Sequence, residues 1–482
     1  MTVEADQVRA DKRAAKIARR IEEDIVRRGW AVGESLGSEA ALQQRYDVSR
    51  SVLREAVRLV EHHQVARMRR GPNGGLLICE PDAGPATRAV VIYLEYRGTT
   101  LGDLLNARLV LEPLAAALAA EHIDEAGIAR LRSVLSAEEQ WRPGRPAPPD
   151  EFHIALAEQS KNPVLQLFID VLTRLTKRYA RASRTGSAAE AADAAHKMRG
   201  AHADIVAAVT AGDSARAKTL SERHVERVTA WLAEHRDPSL RGRPGRKRLT
   251  SEAPRGKLAE VLAANIADDI AASGWHVGSV FGTETALLER YRVSRAALRE
   301  AVRLLEYHEV AHMRRGPGGG LVVARPRAQA SIDTIALYLQ YRKPTREDLR
   351  CVRDAIEIDN VAKVVARRSD PEVADFLNPH DWASAAGNAS DDVRTAAVEE
   401  FRFHVGLAHL AGNALLDLFL RIIVELFRRH WSTTGQAQLT PADTMAVENA
   451  HLRILEAIDA GDDSLARYRI RRHLDAAASW WL

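Results

Sequence analysis

Two stretches of this chain are nearly the same sequence. Residues 46–61 read YDVSRSVLREAVRLVE, and residues 291–306 read YRVSRAALREAVRLLE. In the first copy the correspondence runs from Gly29 to Glu112, with a constant offset of 245 residues to the second copy. An internal repeat of this length predicts two similar units in one chain.

Each repeated stretch has the pattern of the second helix of a helix-turn-helix. Ser49 and Ser294 are suitable N-caps, because a serine hydroxyl accepts from the unpaired N–H groups of a first helical turn. Apolar residues then recur at helical spacing and predict a buried face, while arginines four residues apart share the opposite face. A shorter helix is predicted before each stretch, capped by Ser38 or Thr283. Two short helices joined by a tight turn, the second rich in arginine, are typical of a DNA-reading helix-turn-helix.

A glycine-rich hairpin follows each arginine-bearing helix. Arg70-Gly71 and Arg315-Gly316 stand at the start of these turns, between short apolar runs. The pattern predicts a basic β-wing after each helix-turn-helix.

The ordered motifs of the first copy are LGSE at 36–39, VSR at 48–50, LREAV at 53–57 and RG at 70–71. Together they resemble the winged-helix domain of GntR-family transcription regulators. An arginine stripe on an isolated helix is usually only a solvated face, but here it occurs twice beside a basic hairpin. The residues that we expect to contact base edges, phosphates or sugars, or to approach the groove from the wings, are Ser49, Arg50, Ser51, Arg54, Arg70, Gly71, Ser294, Arg295, Arg299, Arg315 and Gly316.

Length and composition favour a multidomain cytoplasmic protein. The chain has 482 residues and a net charge of +4, so a basic surface must be local. Its two cysteines, Cys79 and Cys351, follow no paired spacing and indicate neither a disulfide framework nor a cysteine-ligated zinc site. The N-terminus lacks the apolar core of a secretory signal, and the most apolar run, 415–427, carries charges at helical spacing.

The expected fold is mainly α-helical, in two tandem units. Residues 85–235 and 330–482 have helical periodicity throughout and resemble the FCD-type sensor domain of the FadR subgroup of GntR regulators, an antiparallel helical bundle. The ranges that we predict are winged helices at 10–80 and 257–325, helical domains at 85–235 and 330–482, and a linker at 236–256.

The linker carries the densest basic run, RGRPGRKR at 241–248. Its glycines and prolines exclude a helix and predict a flexible tether. The segment around Arg243 also resembles an AT-hook, which inserts arginine into a narrow minor groove. Both interpretations, a solvated tether and a minor-groove contact, remain open at this point.

Three histidines in each helical domain stand at matching spacing. His202 and His224 are 22 residues apart, as are His451 and His473, and each pair is split by an Ala-Gly-Asp turn that predicts antiparallel helices. The residues that the resemblance implies as metal ligands are Asp150, His153, His202 and His224 in the first half, and Glu400, His404, His451 and His473 in the second. Three imidazoles and a carboxylate suit a divalent ion such as Zn²⁺, Ni²⁺ or Mn²⁺.

The two histidine sets differ in their acid. Glu400 stands four residues before His404 and shares its helix face, whereas Pro149 occupies that place before His153 and the nearby acid is Asp150. The sequence therefore favours metal binding in the second half over the first.

Arg108 and Arg353 match a family position whose side chain points into the effector cavity. A carboxylate effector could bridge the metal and this arginine. The alternative is an internal ion pair with Glu112 or Glu357, four residues on.

The sequence thus predicts a transcription regulator, not an enzyme. We expect a repressor that responds to a small carboxylate, contacts no membrane, and reads a palindromic operator as a one-chain pseudo-dimer or as a homodimer. The alternatives are an architectural DNA-binding protein and a metal-dependent hydrolase. Three histidines with an open position also describe catalytic zinc, but no HExxH pattern accompanies them.

Overall fold

A computed structural model gives the three-dimensional structure of the chain. It describes residues 2–69, 71, 74–140, 151–180, 188–235, 255–314, 316, 318–378, 393–434 and 441–481.

The first half of the described chain is helical apart from one hairpin. Its elements are α1 (Thr2–Arg27), α2 (Glu39–Tyr46), α3 (Arg50–His62), β1 (Ala66–Arg69), β2 (Gly75–Ile78), α4 (Ala83–Tyr96), α5 (Leu101–His122), α6 (Glu125–Gln140), α7 (Phe152–Gln159), α8 (Pro163–Ala180), α9 (Ala188–Thr210) and α10 (Ser214–Glu234).

The second half repeats this order with small differences. Its elements are α11 (Arg255–Ala272), β3 (Val280–Gly282), α12 (Glu284–Tyr291), α13 (Arg295–Tyr307), β4 (Ala311–Arg314), β5 (Gly320–Val323), α14 (Ala328–Arg342), α15 (Arg346–Ala366), α16 (Pro371–Phe376), α17 (Val393–Leu410), α18 (Ala414–Thr434), α19 (Pro441–Asp459) and α20 (Asp463–Trp481). The expected fold class, mainly α with two winged helix-turn-helix segments and helical bundles, is confirmed.

The helix-turn-helix forms where local signals coincide. The Ser49 hydroxyl accepts from the Val52 N–H at the start of α3, and the Ser294 hydroxyl accepts from the Ala297 N–H at the start of α13. Asp47 ends α2 in the left-handed conformation, with φ of +50°, which turns the chain sharply into α3. Arg292 plays the same part after α12, with φ of +53°.

The wings are antiparallel sheets. β1 pairs with β2, and Arg69 lies opposite Gly75. β4 pairs with β5 in the same register, and the three-residue strand β3 adds to the other edge of β5. Gly75 adopts φ of +147°, and a Cβ there would lie 2.7 Å from the Gly37 carbonyl oxygen, so this close approach of two backbones requires glycine. The glycine-rich sequence pattern predicts the hairpins, whereas β3 has no such signal.

The described chain divides into two compact units. One contains residues 1–96 and 242–343, and the other contains residues 97–241 and 344–482. The first unit therefore holds both winged helices together with α4 and α14, which the sequence analysis placed at the start of the helical domains. The second unit holds the first bundle (α5–α10) and the second bundle (α15–α20).

Inside the first unit, α4 and α14 pack on each other and are exchanged between the winged helices. Leu337 of α14 belongs to the apolar core of the first winged helix, and Ile92 of α4 packs against the core of the second. The ring of Tyr341 lies 5.3 Å from that of Trp30, and the ring of Tyr96 lies 5.4 Å from that of Trp275. Each half thus completes the winged helix of the other half.

Inside the second unit, the two bundles meet through equivalent residues. Phe168 of α8 stacks on Phe419 of α18, with ring centroids 3.9 Å apart. The Asn162 amide donates to the Asp348 carbonyl oxygen at 2.9 Å, and the Asn413 amide donates to the Asp103 carbonyl oxygen at 2.9 Å. The bundles are therefore related by an approximate twofold symmetry at this interface.

None of the helices in the described ranges combines the length and the apolar character that a membrane span requires.

Candidate DNA-binding face and histidine clusters

The arginines of the first recognition helix are exposed on the side of α3 opposite its buried residues. Leu53, Ala56 and Val60 pack into the core of the first winged helix. Arg50 and Arg54 keep 63% and 55% of their side-chain surface accessible, so both guanidinium groups can reach a ligand. Glu39 of α2 pairs with both, with Nε to Oε1 distances of 3.1 Å and 2.8 Å. The Arg50 and Arg54 bonds hold the pKa of Glu39 below its ordinary value.

The second recognition helix presents the same face with fewer contacts. Arg295 and Arg299 of α13 are exposed, and neither takes part in an ion pair with another described residue. Ser49 and Ser294 act as caps at the exposed ends of α3 and α13, and Ser51 lies 3.1 Å from Ser49, Oγ to Oγ.

At the wing tips, the structure describes Gly71 and Gly316 but not their basic neighbours. Gly71 has φ of +114° and Gly316 has φ of +94°, as the tight turns require. Arg70 and Arg315, and Arg243 of the predicted linker, lie outside the described residues.

The first histidine cluster consists of His153, His202 and His224, on α7, α9 and α10. All three are buried, and one ring nitrogen of each lies within 4.8 Å of the others. Phe152 stacks on the His202 ring at 3.7 Å and closes one side. Asp150, the acid expected here, lies outside the described residues.

Side chains beside the first cluster contact three of its ring nitrogen atoms. Glu138 lies 2.9 Å from Nδ1 of His202, and Glu112 Oε2 lies 3.2 Å from Nδ1 of His153. Arg108 Nη2 lies 3.2 Å from Nε2 of the same His153. A neutral His153 that donates from Nδ1 to Glu112 accepts the arginine N–H at Nε2, so the lone pair that a metal needs is engaged. Burial lowers the pKa of His224 to about 2, with the neighbouring histidines adding to the shift.

The second histidine cluster consists of Glu400, His404, His451 and His473, on α17, α19 and α20. All four are buried, and their ligand atoms lie within 4.8 Å of one another. Phe403 stacks on the His451 ring at 3.8 Å, as Phe152 does in the first cluster. Here the carboxylate lies inside the set: Glu400 Oε1 is 3.1 Å from His404 Nε2 and 3.2 Å from His473 Nε2.

The carboxylates also set the charges of the second cluster. Burial disfavours a charged His404, but the Glu357 and Glu400 carboxylates outweigh it and raise the pKa of His404 to about 10. Burial likewise opposes ionisation of Glu400, yet the three histidines hold its pKa well below the ordinary value. Burial lowers the pKa of His451 to about 4 in spite of Glu400.

Arg108 and Arg353 occupy equivalent positions but have different partners. Arg108 Nε donates to Glu112 Oε1 at 2.6 Å, and its other nitrogens reach Thr176 and His153. Arg353 Nε lies 3.6 Å from Glu357 Oε1, and its buried Nε and Nη2 have no hydrogen-bond partner among the described residues. Both arginines therefore lie within ion-pair distance of a carboxylate four residues on, but Arg108 Nε hydrogen-bonds to that carboxylate and Arg353 Nε does not.

The chemistry of the donor sets tests whether a metal ion fits. In the second cluster, Glu400 Oε2 and His451 Nε2 are buried and lie 2.8 Å apart, yet neither makes a hydrogen bond with a described residue. Buried polar atoms of this kind call for a further partner, and one carboxylate with three imidazoles is a ligand set for a divalent ion. In the first cluster, His224 Nε2 is likewise buried without a hydrogen bond to a described residue, but the described ligand set has no carboxylate and a guanidinium group stands against His153. The second cluster therefore fits a metal ion better than the first.

Three carboxylates around the clusters were not assigned as histidine partners from the sequence. Glu112 and Glu357 contact Nδ1 of His153 and His404, and Glu138 contacts Nδ1 of His202. Such carboxylates orient an imidazole and fix its tautomer. The sequence spacing indicates Glu112 and Glu357 only as arginine partners, and it gives no signal for Glu138, which lies on a different helix from each histidine.

Comparison with protein families matches both halves of the chain. The FCD domain matches residues 103–227 and 348–476, which together exceed half of the chain. The family described as bacterial regulatory proteins, gntR family, matches residues 13–72.

Several curated relatives align with less than half of this chain but with most of their own length. The Uxu operon regulator of Haemophilus influenzae is 25% identical over 46% of this chain and 82% of its own. LutR, an HTH-type transcriptional regulator of Bacillus subtilis, is 28% identical over 42% of this chain and 92% of its own. The Uxu operon transcriptional regulator of Escherichia coli is 27% identical over 44% and 82%.

Among solved structures, Streptococcus agalactiae GntR aligns with 22% identity and a TM-score of 0.32, over 45% of this chain and 99% of that chain. The family matches and the relatives indicate DNA-binding transcription regulation and not an enzymatic activity. With an FCD domain matched in each half and a GntR helix-turn-helix at its start, the chain belongs to the FCD-domain regulators of the GntR family.

Proposed function

We propose that this regulator is a ligand-responsive repressor in which one chain supplies both DNA-binding halves, and in which the second bundle is the sensor. The observation that carries the sensor assignment is the second histidine cluster, where four buried ligand atoms converge and two of them make no hydrogen bond with a described residue. Glu400, His404, His451 and His473 would hold one divalent ion of the zinc, nickel or manganese type.

The two recognition helices support reading of one operator by one chain. α3 and α13 carry arginine at the same helical positions, as Arg50 and Arg295 and as Arg54 and Arg299. Serine at position 51 corresponds to alanine at position 296, the one difference among the proposed contacts. Two nearly identical recognition helices favour an operator whose two half-sites have nearly the same sequence. Arginine pairs best with O6 and N7 of guanine.

The effector that we propose is a small carboxylate at Arg353. The two buried nitrogens without hydrogen-bond partners can donate to both oxygens of a carboxylate, while the metal ion supplies a second positive charge nearby. Asp354 Oδ1 lies 3.5 Å from Arg353 Nε, and burial raises the pKa of Asp354 to about 6. This carboxyl is still mostly ionised at neutral pH, so an effector carboxylate must compete with it for the guanidinium group. An effector changes DNA affinity only by its differential affinity for the DNA-competent and incompetent arrangements.

DNA binding by variants tests this proposal. On an operator selected from genomic fragments, Arg50→Ala or Arg295→Ala should each weaken binding about five- to one-hundred-fold, the range expected for a lost bidentate base contact. Arg223→Ala, which removes an exposed arginine of the second unit, is the control and should leave binding unchanged. Dicarboxylates such as malate and succinate should release the wild-type protein from the operator and should not release Arg353→Ala. If both variants bound the operator as tightly as the wild type, the assignment of Arg50 and Arg295 as base-contacting residues would be refuted.

A further inference from the structure

The contact between the two winged helices includes two ion pairs whose residues differ in charge between the halves. Arg19 of α1 pairs with Asp333 of α14, with Nη2 to Oδ2 at 2.9 Å. On the other side, Arg88 of α4 pairs with Glu260 of α11, with Nη2 to Oε2 at 3.2 Å. Among the residues that the structure describes, one ion pair thus ties each exchanged helix to the winged helix of the opposite half.

The repeat offset of 245 relates these four residues to one another. Arg88 corresponds to Asp333, Arg19 corresponds to Ala264, and Glu260 corresponds to Ala15. The exchanged helix is therefore positive in the first half and negative in the second. The opposite holds for the helices on which they pack. The negative α14 residue meets Arg19 of α1, and the positive α4 residue meets Glu260 of α11.

The consequence appears when like halves are paired. Positions 15 and 19 are one turn apart on α1, as 260 and 264 are on α11, so either can face the exchanged helix. Two first halves would bring Arg88 against Arg19, and two second halves would bring Asp333 against Glu260. Only the pairing of a first half with a second half gives attraction on both sides.

A partly buried contact between the winged helices likewise depends on residues that differ between the two halves. His63 of the first winged helix contacts Glu22 through Nδ1 and the Tyr307 hydroxyl through Nε2. The Tyr307 hydroxyl lies 3.2 Å from Thr334 Oγ1. At the corresponding positions, Glu22 is replaced by Ala267, Tyr307 by His62 and Thr334 by Ala89. Two like halves could not rebuild this chain of contacts.

Stability alone does not account for these charges. The side chains of the Arg19–Asp333 pair are 58% and 22% exposed, and those of Arg88–Glu260 are 37% and 36% exposed. Ion pairs this exposed contribute little net stabilisation, whereas like charges at the same positions repel and select against the wrong partner. We propose that these four charged residues make the contact face bind the other half of the same chain and repel the same half of a second chain. We call this pattern the charge code. The proposal rests on the proposed one-chain operator reading.

Full-length charge-reversal variants test the code. Arg19→Asp with Arg88→Asp makes both halves negative at the contact, and Glu260→Arg with Asp333→Arg makes both positive. Alone, each chain should lose the attraction between its own halves. Mixed in equal amounts, the two chains should associate at least about tenfold more tightly than either associates with itself, and salt should weaken this preference because the contacts are exposed.

The readout is sedimentation velocity of the separate and mixed chains, with circular dichroism to verify that each is folded. The quadruple variant, which carries all four reversals, restores opposite charges within one chain and should behave like wild type. Lys218→Asp with Arg223→Asp, on the exposed face of α10, matches the change in net charge away from the contact and should not associate with the positive chain. Folded variants that fail to prefer each other would overturn the charge code.

The mass of the wild-type protein on its operator separates this result from the proposed function. Two chains on one operator would contradict one-chain reading whatever the variants do. One chain on the operator, with no preference between the mixed variants, would overturn the charge code alone.

Discussion

The two histidine clusters have the same skeleton and different contents. Each has three buried histidines on equivalent helices, and each is closed by a phenylalanine that stacks on one ring. In the first, a guanidinium group lies against His153, while in the second the Glu400 carboxylate lies among the rings. Equivalent ring arrangements thus meet a guanidinium group in one half and enclose a carboxylate in the other, so a repeated framework can keep its fold while the charge at its centre changes.

The charges make the first cluster less suited to a cation than the second. Arg108 already pairs with Glu112 and contacts His153, whereas His224 Nε2 is buried without a hydrogen bond to a described residue. The second cluster has a carboxylate in the centre and an arginine whose Nε and Nη2 have no hydrogen-bond partner in the described part of the chain. A bound cation would therefore meet a guanidinium group in the first cluster and a carboxylate in the second.

The largest predicted effect is on metal content. After preparation with excess metal and dialysis, the wild-type chain should retain about one divalent ion. His451→Ala should retain almost none, because it removes one of the three histidines that bind the ion together with a carboxylate. His202→Ala, the equivalent change in the first cluster, should leave metal content unchanged. Inductively coupled plasma mass spectrometry gives the stoichiometry. Two ions per wild-type chain would mean that the clusters do not differ in the way that we propose.

A second prediction concerns the two arginines. Arg108→Ala removes one partner of a buried ion pair and leaves the Glu112 carboxylate without its main countercharge, so the free energy of unfolding should fall by about 3–5 kcal/mol. Arg353→Ala should cost less, because Arg353 Nε and Nη2 make no hydrogen bond with a described residue. Urea unfolding, followed by circular dichroism, measures both. An equal fall in the free energy of unfolding in both variants would contradict the proposal that Arg108 has a structural role and Arg353 binds the effector.

The smallest of these effects comes from making the second cluster resemble the first. Glu400→Gln keeps the shape of the side chain and removes its charge, so metal affinity should fall by at least about ten- to one-hundred-fold, the loss typical of even an outer-shell change. Competition with a metallochromic chelator measures the dissociation constant. Glu138→Gln, which changes a carboxylate beside the first cluster, serves as the matched control and should have no effect on affinity. Unchanged binding by Glu400→Gln would show that the three histidines suffice.

Local patterns predicted much of the fold because their causes are local. Ser49 and Ser294 cap the recognition helices, and apolar residues at helical spacing, such as Leu53 and Val60, lie in the core. The equal separation of His202 from His224 and of His451 from His473 predicted antiparallel helices that bring these rings together, as the structure has them. Period and capping depend on neighbours a few residues away, so a single sequence contains them.

The unpredicted features all depend on which distant segments meet. The periodicity of α4 and α14 indicated helices with a buried side but did not identify the winged helix that each would cover. The trio Arg108, Glu112 and His153 joins two helices, and Glu138 reaches His202 from a third. The acid preceding His404 was found because it lies on the same helix, at a spacing of four residues.

The sequence by itself determined the repeated helix-turn-helix, the helical bundles and the identity of the buried histidines. Only the tertiary structure decided that α4 and α14 are exchanged between the winged helices and that the charges at their contacts are complementary. It alone also decided that an arginine contacts a histidine of the first cluster. The physical reason is that a residue's helical face follows from its near neighbours, whereas its electrostatic environment follows from side chains that folding brings from far along the chain.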